Sequence, residues 1–493
     1  MPAGASRLLA LFAVAVAARL LWLFPVDGPG YLDASYQLLV AKRLAAGEGL
    51  TAPVIWHWLR LPDAVIHPSH DYWMPLGALL AAGGLLLTGD SWPAAVLPGL
   101  LLSALLAPIA AWLTRIAGGT PADEWIAAGL ALTAGSVAAH WATTDPMTVF
   151  APLGALALIL ADRAGRRSAL LGGAFAGLAQ LARADGFLLL AALIIVRLRR
   201  DPAAALLGAA AFGAVVAPWV IRNAATFGWP PFIGVATVWL TEYNDLFRPG
   251  GATAADWWGR GVGTIAGEKL VALGLNLAVL ALLGHLFWTP VGLAGLLLQR
   301  RPAPLVYLGL LLVSASFVFN FPGARGAFAH GLTALIPAFA AGAVLGLHRV
   351  ADWLAARRRL PPAQARQRLA LIALGGAIVA GTGLGWQQVS EWRSWRSALA
   401  AAAAVVEASA PGATVVAADP GTYAAISGQP AIVMPNLPPA EAIALARRYG
   451  ATVILIGNAY PRPWSRWLAG EESVPTARLL GEAGGFRIVA IAE

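Results

Sequence analysis

Long apolar runs separated by short basic clusters give this 493-residue chain its pattern. Runs of bilayer-spanning length, about 20 residues in general, lie near 8–24, 94–114, 125–141, 146–161, 203–220, 272–298, 303–320, 327–347 and 369–386. Two shorter runs, 168–182 and 186–197, flank Arg183 and Asp185. A bilayer tolerates a charged turn only at an interface or a wet cavity, so these two runs predict helices that meet at one face. The run 75–88 is too short to cross and predicts an interfacial or re-entrant helix. The first run follows Arg7 and reaches Asp27 without a small-residue cleavage site, which predicts a retained span and not a removed signal peptide.

Beyond Trp386 the pattern changes. Trp392, Arg393, Trp395 and Arg396 suggest an interfacial anchor. The stretches Thr414 to Ala418, Ala431 to Met434 and Thr452 to Ile456 then predict buried strands, with helices near Pro420 to Ile426 and Pro439 to Tyr449 between them. The expected division is a transmembrane domain over 1–386, with a large first outer loop at 25–93, and a small extracytoplasmic α/β domain over 387–493 that folds independently.

Composition agrees with a membrane class: 59% of residues are hydrophobic and only 12% are charged, so a water-soluble globule is excluded. The net charge of +9 is split among loops and forms no continuous face, which argues against a nucleic-acid partner. With no cysteine, disulfides and thiolate chemistry are excluded as well. Arg115; Arg163, Arg166 and Arg167; Arg197, Arg199 and Arg200; Arg300 and Arg301; and Arg349 with Arg357 to Arg359 occupy alternate loops, which should be cytoplasmic. This parity predicts an all-α polytopic protein with about eleven crossings plus interfacial helices, its N-terminus inside and its C-terminus outside.

The outer loops then carry the chemistry. Asp33 lies just past the first span, ahead of an amphipathic segment that ends at Gly47 and Gly49. His67, His70 and Asp71 precede the run that starts at Pro75-Leu76, and Thr144-Asp145 opens a later span. Arg183, Arg222 and Arg325 all fall on the outer side. Ordinary structural roles compete for several of these: helix capping for Asp33, Asp145 and Asp419, and turn ion pairing for Arg183 with Asp185.

In order and spacing, Asp33, Tyr36, Gly47, Gly49, Pro75, Leu76, Thr144 and Asp145 resemble the GT-C superfamily of membrane glycosyltransferases, in particular the protein O-mannosyltransferase and aminoarabinose transferase branch. The tail from Ala418-Asp419-Pro420 through Gly457 resembles that of bacterial relatives. Two departures stand out: Ala34 replaces an expected Glu, and His70-Asp71-Tyr72-Trp73-Met74 replaces an acidic-Lys-Pro pattern.

The resemblance implies transfer of a sugar from a polyprenyl-phosphate donor to an extracytoplasmic lipid, glycan or protein, with inversion, in a cell membrane. Such a donor already has a good leaving group, so the enzyme needs a base and cations around the phosphate. Asp33 is the expected base and Asp145 its partner, while Arg183, Arg222 and Arg325 are candidates for the phosphate. His67, His70 and Asp71 are candidates for a divalent metal. A polytopic transporter or lipid flippase is the alternative reading. It would place ionisable groups near mid-membrane, whereas here they gather at one face.

Overall fold

The computed structural model describes residues 3–283, 288–457, 464, 467 and 477–491. The chain starts with α1 (Ala3–Leu21), then α2 (Leu32–Ala45), short strands β1 (Thr51–Ala52), β2 (Val54–Ile55) and β3 (His67–Pro68), and α3 (Leu76–Thr88). Helices α4 (Trp92–Ala104), α5 (Leu106–Ile116), α6 (Pro121–Leu132), α7 (Met147–Asp162), α8 (Arg166–Ala182), α9 (Phe187–Leu198) and α10 (Pro202–Phe227) follow. Next come α11 (Ala254–Gly259), α12 (Val262–Leu283), α13 (Thr289–Leu298), α14 (Pro302–Val313), α15 (Asn320–Pro322), α16 (Phe328–Leu332), α17 (Ile336–Arg358) and α18 (Pro362–Ser409). The C-terminal region alternates β4 (Thr414–Ala417), α19 (Pro420–Ser427), β5 (Ala431–Val433), α20 (Pro439–Arg448) and β6 (Ala451–Ile456), and closes with β7 (Ala477–Ala483) and β8 (Phe486–Ile491).

Among the described residues, six helical stretches are long and apolar enough to cross a bilayer: Gly4–Leu21, Trp92–Ile116, Pro202–Phe227, Val262–Leu283, Asn320–Arg358 and Pro362–Ser409. Shorter apolar helices, α7 and α13 among them, pack between these. The expected run 272–298 is met by two helices, α12 and α13, with residues 284–287 outside the described set. Small residues let the helices approach at backbone distance, a common device in bilayers, where apolar side chains gain little by leaving lipid. A Cβ on Gly173 of α8 would meet the Gly208 carbonyl of α10 at 1.9 Å, and one on Gly295 of α13 would meet the Gly342 carbonyl of α17 at 1.9 Å.

Both ends of helix α3 are tied to α2. Gln37 donates to the Met74 carbonyl just before it, Lys42 pairs with Asp90 just after it, and the Trp92 indole donates to the Val26 carbonyl past the end of α1. In contrast, α7 runs from the Thr144-Asp145 turn to Asp162. There Arg197 donates to the Leu160 carbonyl and the Ala303 amide donates to Asp162. The arginine-rich loops and the acidic turn thus occupy opposite ends of one helix, about 24 Å long at 1.5 Å per residue.

The C-terminal region differs from the sequence expectation in two ways. Helix α18 continues unbroken through residue 386, so the 1–386 and 387–493 division falls inside one helix. The six-stranded sheet, ordered β2-β5-β4-β6-β8-β7, takes its first strand from the outer loop at 25–93. Val54 and Ile55 pair in parallel with Ala431 and Ile432, Trp58 is fully buried with its indole donating to the Val433 carbonyl, and Tyr449 donates to the Pro62 carbonyl. Loop and tail therefore share one core and are not independent. The strands and helices expected at 414–418, 431–434, 452–456, 420–426 and 439–449 all form, to within a residue or two.

Candidate active site

The site forms where α2, the turn before α7, the turn between α8 and α9, and α16 converge. Asp33 lies in the first turn of α2, but the helix N-cap is Tyr31 and the Asp33 side chain accepts no hydrogen bond from the described residues. A capping role is thereby removed. Asp33 is half-buried, and burial followed by the Asp145 charge pushes its pKa up to about 7, with Arg183 pulling the other way.

Asp145 is fixed by several contacts. The Tyr31 hydroxyl donates to Oδ2 at 2.6 Å, and the Met147 amide donates to Oδ1 at 2.7 Å, so this carboxylate also caps α7. The neighbouring Thr144 hydroxyl donates to the Ala34 carbonyl at 2.6 Å, which locks the Asp145 turn onto the first turn of α2. Burial opposes ionisation of Asp145, but nearby imidazoles and these donors outweigh it and hold its pKa below the usual carboxylate range.

Arg183 bridges the other wall. It ion-pairs with Asp185 at 3.1 Å and its guanidinium donates to Nδ1 of His330 at 2.9 Å. Nε2 of His330 then lies 4.0 Å from Asp145. Asp33, Asp145 and His330 bring ligand-type atoms within 4.8 Å of one another, although 297 positions separate the first residue from the last.

No family model matches the sequence, and no curated protein matches it. Among solved structures, the fold is similar to that of ArnT, an aminoarabinose transferase, from Cupriavidus metallidurans in the apo state. The TM-score is 0.60 at 14% identity, covering 98% of this chain and 97% of that one. The same protein bound to undecaprenyl phosphate gives a TM-score of 0.55 at 14% identity, covering 98% of this chain and 97% of that one. The Archaeoglobus fulgidus oligosaccharyltransferase in its apo form gives 0.52 at 14% identity, covering 92% of this chain and 69% of that one. The chain has the GT-C fold.

Within this GT-C fold the other expected residues take separate places. Arg325 is exposed, with its guanidinium 4.1 Å from the Tyr243 ring. Arg222 instead holds the first outer loop: it donates to the Ser69 carbonyl at 2.8 Å and to Asn223, over the Trp219 ring. This places it among loop carbonyls and away from the acidic cluster, so the phosphate role expected of it finds no support.

The His67, His70 and Asp71 set does not converge on a metal. His67 Nδ1 bonds the Val65 carbonyl, and His70 is enclosed by Ser69, Tyr36 and Gln37, where burial and Arg222 push its pKa down to about 3. Asp71 faces His57 at 3.3 Å. The one metal-capable grouping among the described residues is Asp33, Asp145 and His330. Its fit is partial. A guanidinium can only donate, so Nδ1 of His330 must accept and Nε2 carries the hydrogen; this tautomer, assigned from the hydrogen bond, turns an N–H and not a lone pair toward Asp145. Asp33 and Asp145 remain a pair of hard oxygen ligands of the kind that suits Mg²⁺ or Mn²⁺.

Tyr31 was not among the sequence candidates for catalysis. Nothing local distinguishes it, since it acts through a partner more than a hundred residues away.

Proposed function

We propose that this protein is a GT-C glycosyltransferase that moves a sugar from a polyprenyl-phosphate donor to an extracytoplasmic acceptor, with Asp33 as general base. The observation that carries the reading is the Asp33 carboxylate: among the described residues it has no hydrogen-bond partner, it has no capping duty, its pKa is pushed up to about 7, and it lies within the field of Arg183. A base poised near the working pH combines a sizeable ionised fraction with useful basicity.

In the reaction, the acceptor hydroxyl attacks C1 of the sugar while its proton passes to Asp33. The C1–O bond to phosphate breaks, and its electron pair leaves on the phosphate. Attack from the face opposite that bond inverts C1. Arg183 stabilises the charge that grows on the departing phosphate, and exposed Arg325 is free to do so from a second side. Asp145, held by Tyr31 and Met147, raises the basicity of Asp33 through its fixed negative charge.

The likeness to a fold whose solved example binds undecaprenyl phosphate supports this donor class. We place the site on the extracytoplasmic side because the arginine-rich loops lie at the far end of α7. The test is incubation of purified protein with polyprenyl-phosphate monosaccharides and membrane-derived acceptors. Release of polyprenyl phosphate with sugar appearing on the acceptor supports the reading. Movement of the intact lipid between leaflets without cleavage would favour a flippase.

A further inference from the structure

The first outer loop encloses a cavity that sugar transfer does not use. It measures about 260 Å³ and lies between residues 55–71 and the C-terminal end of α10, at Thr226 and Phe227. Helix α10 has 26 residues, so it is about 39 Å long at 1.5 Å per residue. That exceeds a hydrocarbon core of about 30 Å. With Arg199 and Arg200 just before its start, its last turn reaches the opposite headgroup layer. Leu61 and Ile66 line the cavity and are exposed, and Trp229, two residues past α10, is 83% exposed. Apolar and indole side chains exposed at that level are suited to contact with lipid.

The polar lining is built but not satisfied. His57 is only 5% exposed, and its Nε2 lies 3.3 Å from Oδ1 of Asp71. A carboxylate can only accept, so Nε2 carries the hydrogen, and Nδ1 is left without a partner among the described residues. Arg60 donates from Nη2 to the Pro230 carbonyl at 3.0 Å, with its guanidinium 5.1 Å from the Phe227 ring, while Nη1 has no partner among the described residues. Asp63, on the same lining and exposed, forms no ion pair among them. With Asp71 committed to His57, the cavity keeps two uncommitted charges of opposite sign, Arg60 and Asp63.

That pairing selects the occupant. A simple anion would meet the carboxylates of Asp63 and Asp71, and a simple cation would meet Arg60, whereas a zwitterion answers both. The volume lies just under the about 300–1,000 Å³ of pockets that enclose drug-sized ligands, so it suits a headgroup and not a whole lipid. We propose that this cavity binds the headgroup of a phospholipid that carries both a phosphate and a primary ammonium, Arg60 taking the phosphate and Asp63 with Nδ1 of His57 taking the ammonium. The acyl chains stay in the bilayer beside α10, where Ile221 is exposed. The bound lipid seats a loop that supplies β2 to the tail sheet and accepts the Ile233 amide at the Asp71 carbonyl. The site is independent of the glycosyltransferase reading.

The experiment titrates full-length protein in detergent with phosphatidylethanolamine or phosphatidylglycerol, read by native mass spectrometry and thermal melting. One phosphatidylethanolamine should be retained and should raise the melting temperature, and phosphatidylglycerol should bind about 10-fold more weakly. Asp63→Asn and Arg60→Gln should each weaken phosphatidylethanolamine binding about 10-fold, as expected for a lost hydrogen bond to a charged group. Arg60→Gln also loses the Pro230 contact, so Asp63→Asn, at an exposed position, decides if Arg60→Gln does not fold. Equal binding of the two lipids, or unchanged phosphatidylethanolamine binding in a normally melting Asp63→Asn protein, overturns the proposal. Soluble phosphoethanolamine binding as tightly as the lipid overturns it as well, since the ligand would then come from solution. Sugar transfer enters none of these readouts, so failure here leaves the enzyme reading intact.

Discussion

Asp33→Asn probes the mechanism most directly. Among the described residues the Asp33 carboxylate accepts no hydrogen bond and caps nothing, so exchanging one oxygen for an amide breaks no hydrogen bond there. Its pKa is raised from 3.8 to about 7, chiefly by burial. The ionised form is therefore disfavoured in the folded protein, and the stability cost grows as pH rises from the unfolded value through about 7 and is complete above it. At pH 8 the neutral amide should leave the melting temperature equal or slightly higher.

Transfer should respond in the opposite sense. A positioned general base contributes about 10²- to 10⁴-fold, which corresponds to about 3–5 kcal/mol of barrier. In the wild type, kcat/KM should rise with pH and level off above about 7, because only ionised Asp33 can take the acceptor proton. In Asp33→Asn the rate should fall at least 100-fold and that limb of the profile should vanish. The assay is sugar transfer from a polyprenyl-phosphate donor by purified wild type and variant across pH 5 to 9, alongside thermal melting. Near-normal transfer by a stably folded Asp33→Asn protein, or a wild-type profile flat through neutrality, would refute the assignment.

Arg183→Met should cut transfer about 100-fold, since it removes a preorganised donor from the phosphate side, whereas Arg183→Lys should recover only part because it loses the fork that spans Asp185 and His330. With Asp33 acting as a free base, transfer should persist in EDTA within a few-fold; a complete loss that Mn²⁺ restores would show that the Asp33 and Asp145 pair holds an essential ion and that Asp33 is not the base. Gly295→Leu should destabilise the protein by about 1–3 kcal/mol in thermal melting, because the Gly342 carbonyl occupies the space its Cβ needs. Trp58→Ala should cost about 3–5 kcal/mol and expose the tail to proteases, and cleavage confined to the first outer loop would contradict the shared core.

The sequence by itself determined the membrane class, the main helical runs, the sequestration of arginines from the acidic turn, and the strands of the tail. All of these depend on local periodicity or on charge counts along the chain. It also singled out Asp33, Asp145 and Arg183, because an ionisable residue beside a span is costly and therefore conspicuous. Only the tertiary structure decided which charged residues meet. His67, His70 and Asp71 are neighbours in sequence, yet in an irregular loop each turns to a different partner, and the positive φ of His70 helps to separate them. Asp33, Asp145 and His330 are far apart in sequence and meet because Thr144 ties one turn to α2 and Arg183 holds an imidazole against another. The two residues of β2 are too few to show any periodicity, so their place in the tail sheet became visible only once β5 stood beside them. Pairings between distant segments depend on how helices pack around small residues, and no local window of sequence contains that information.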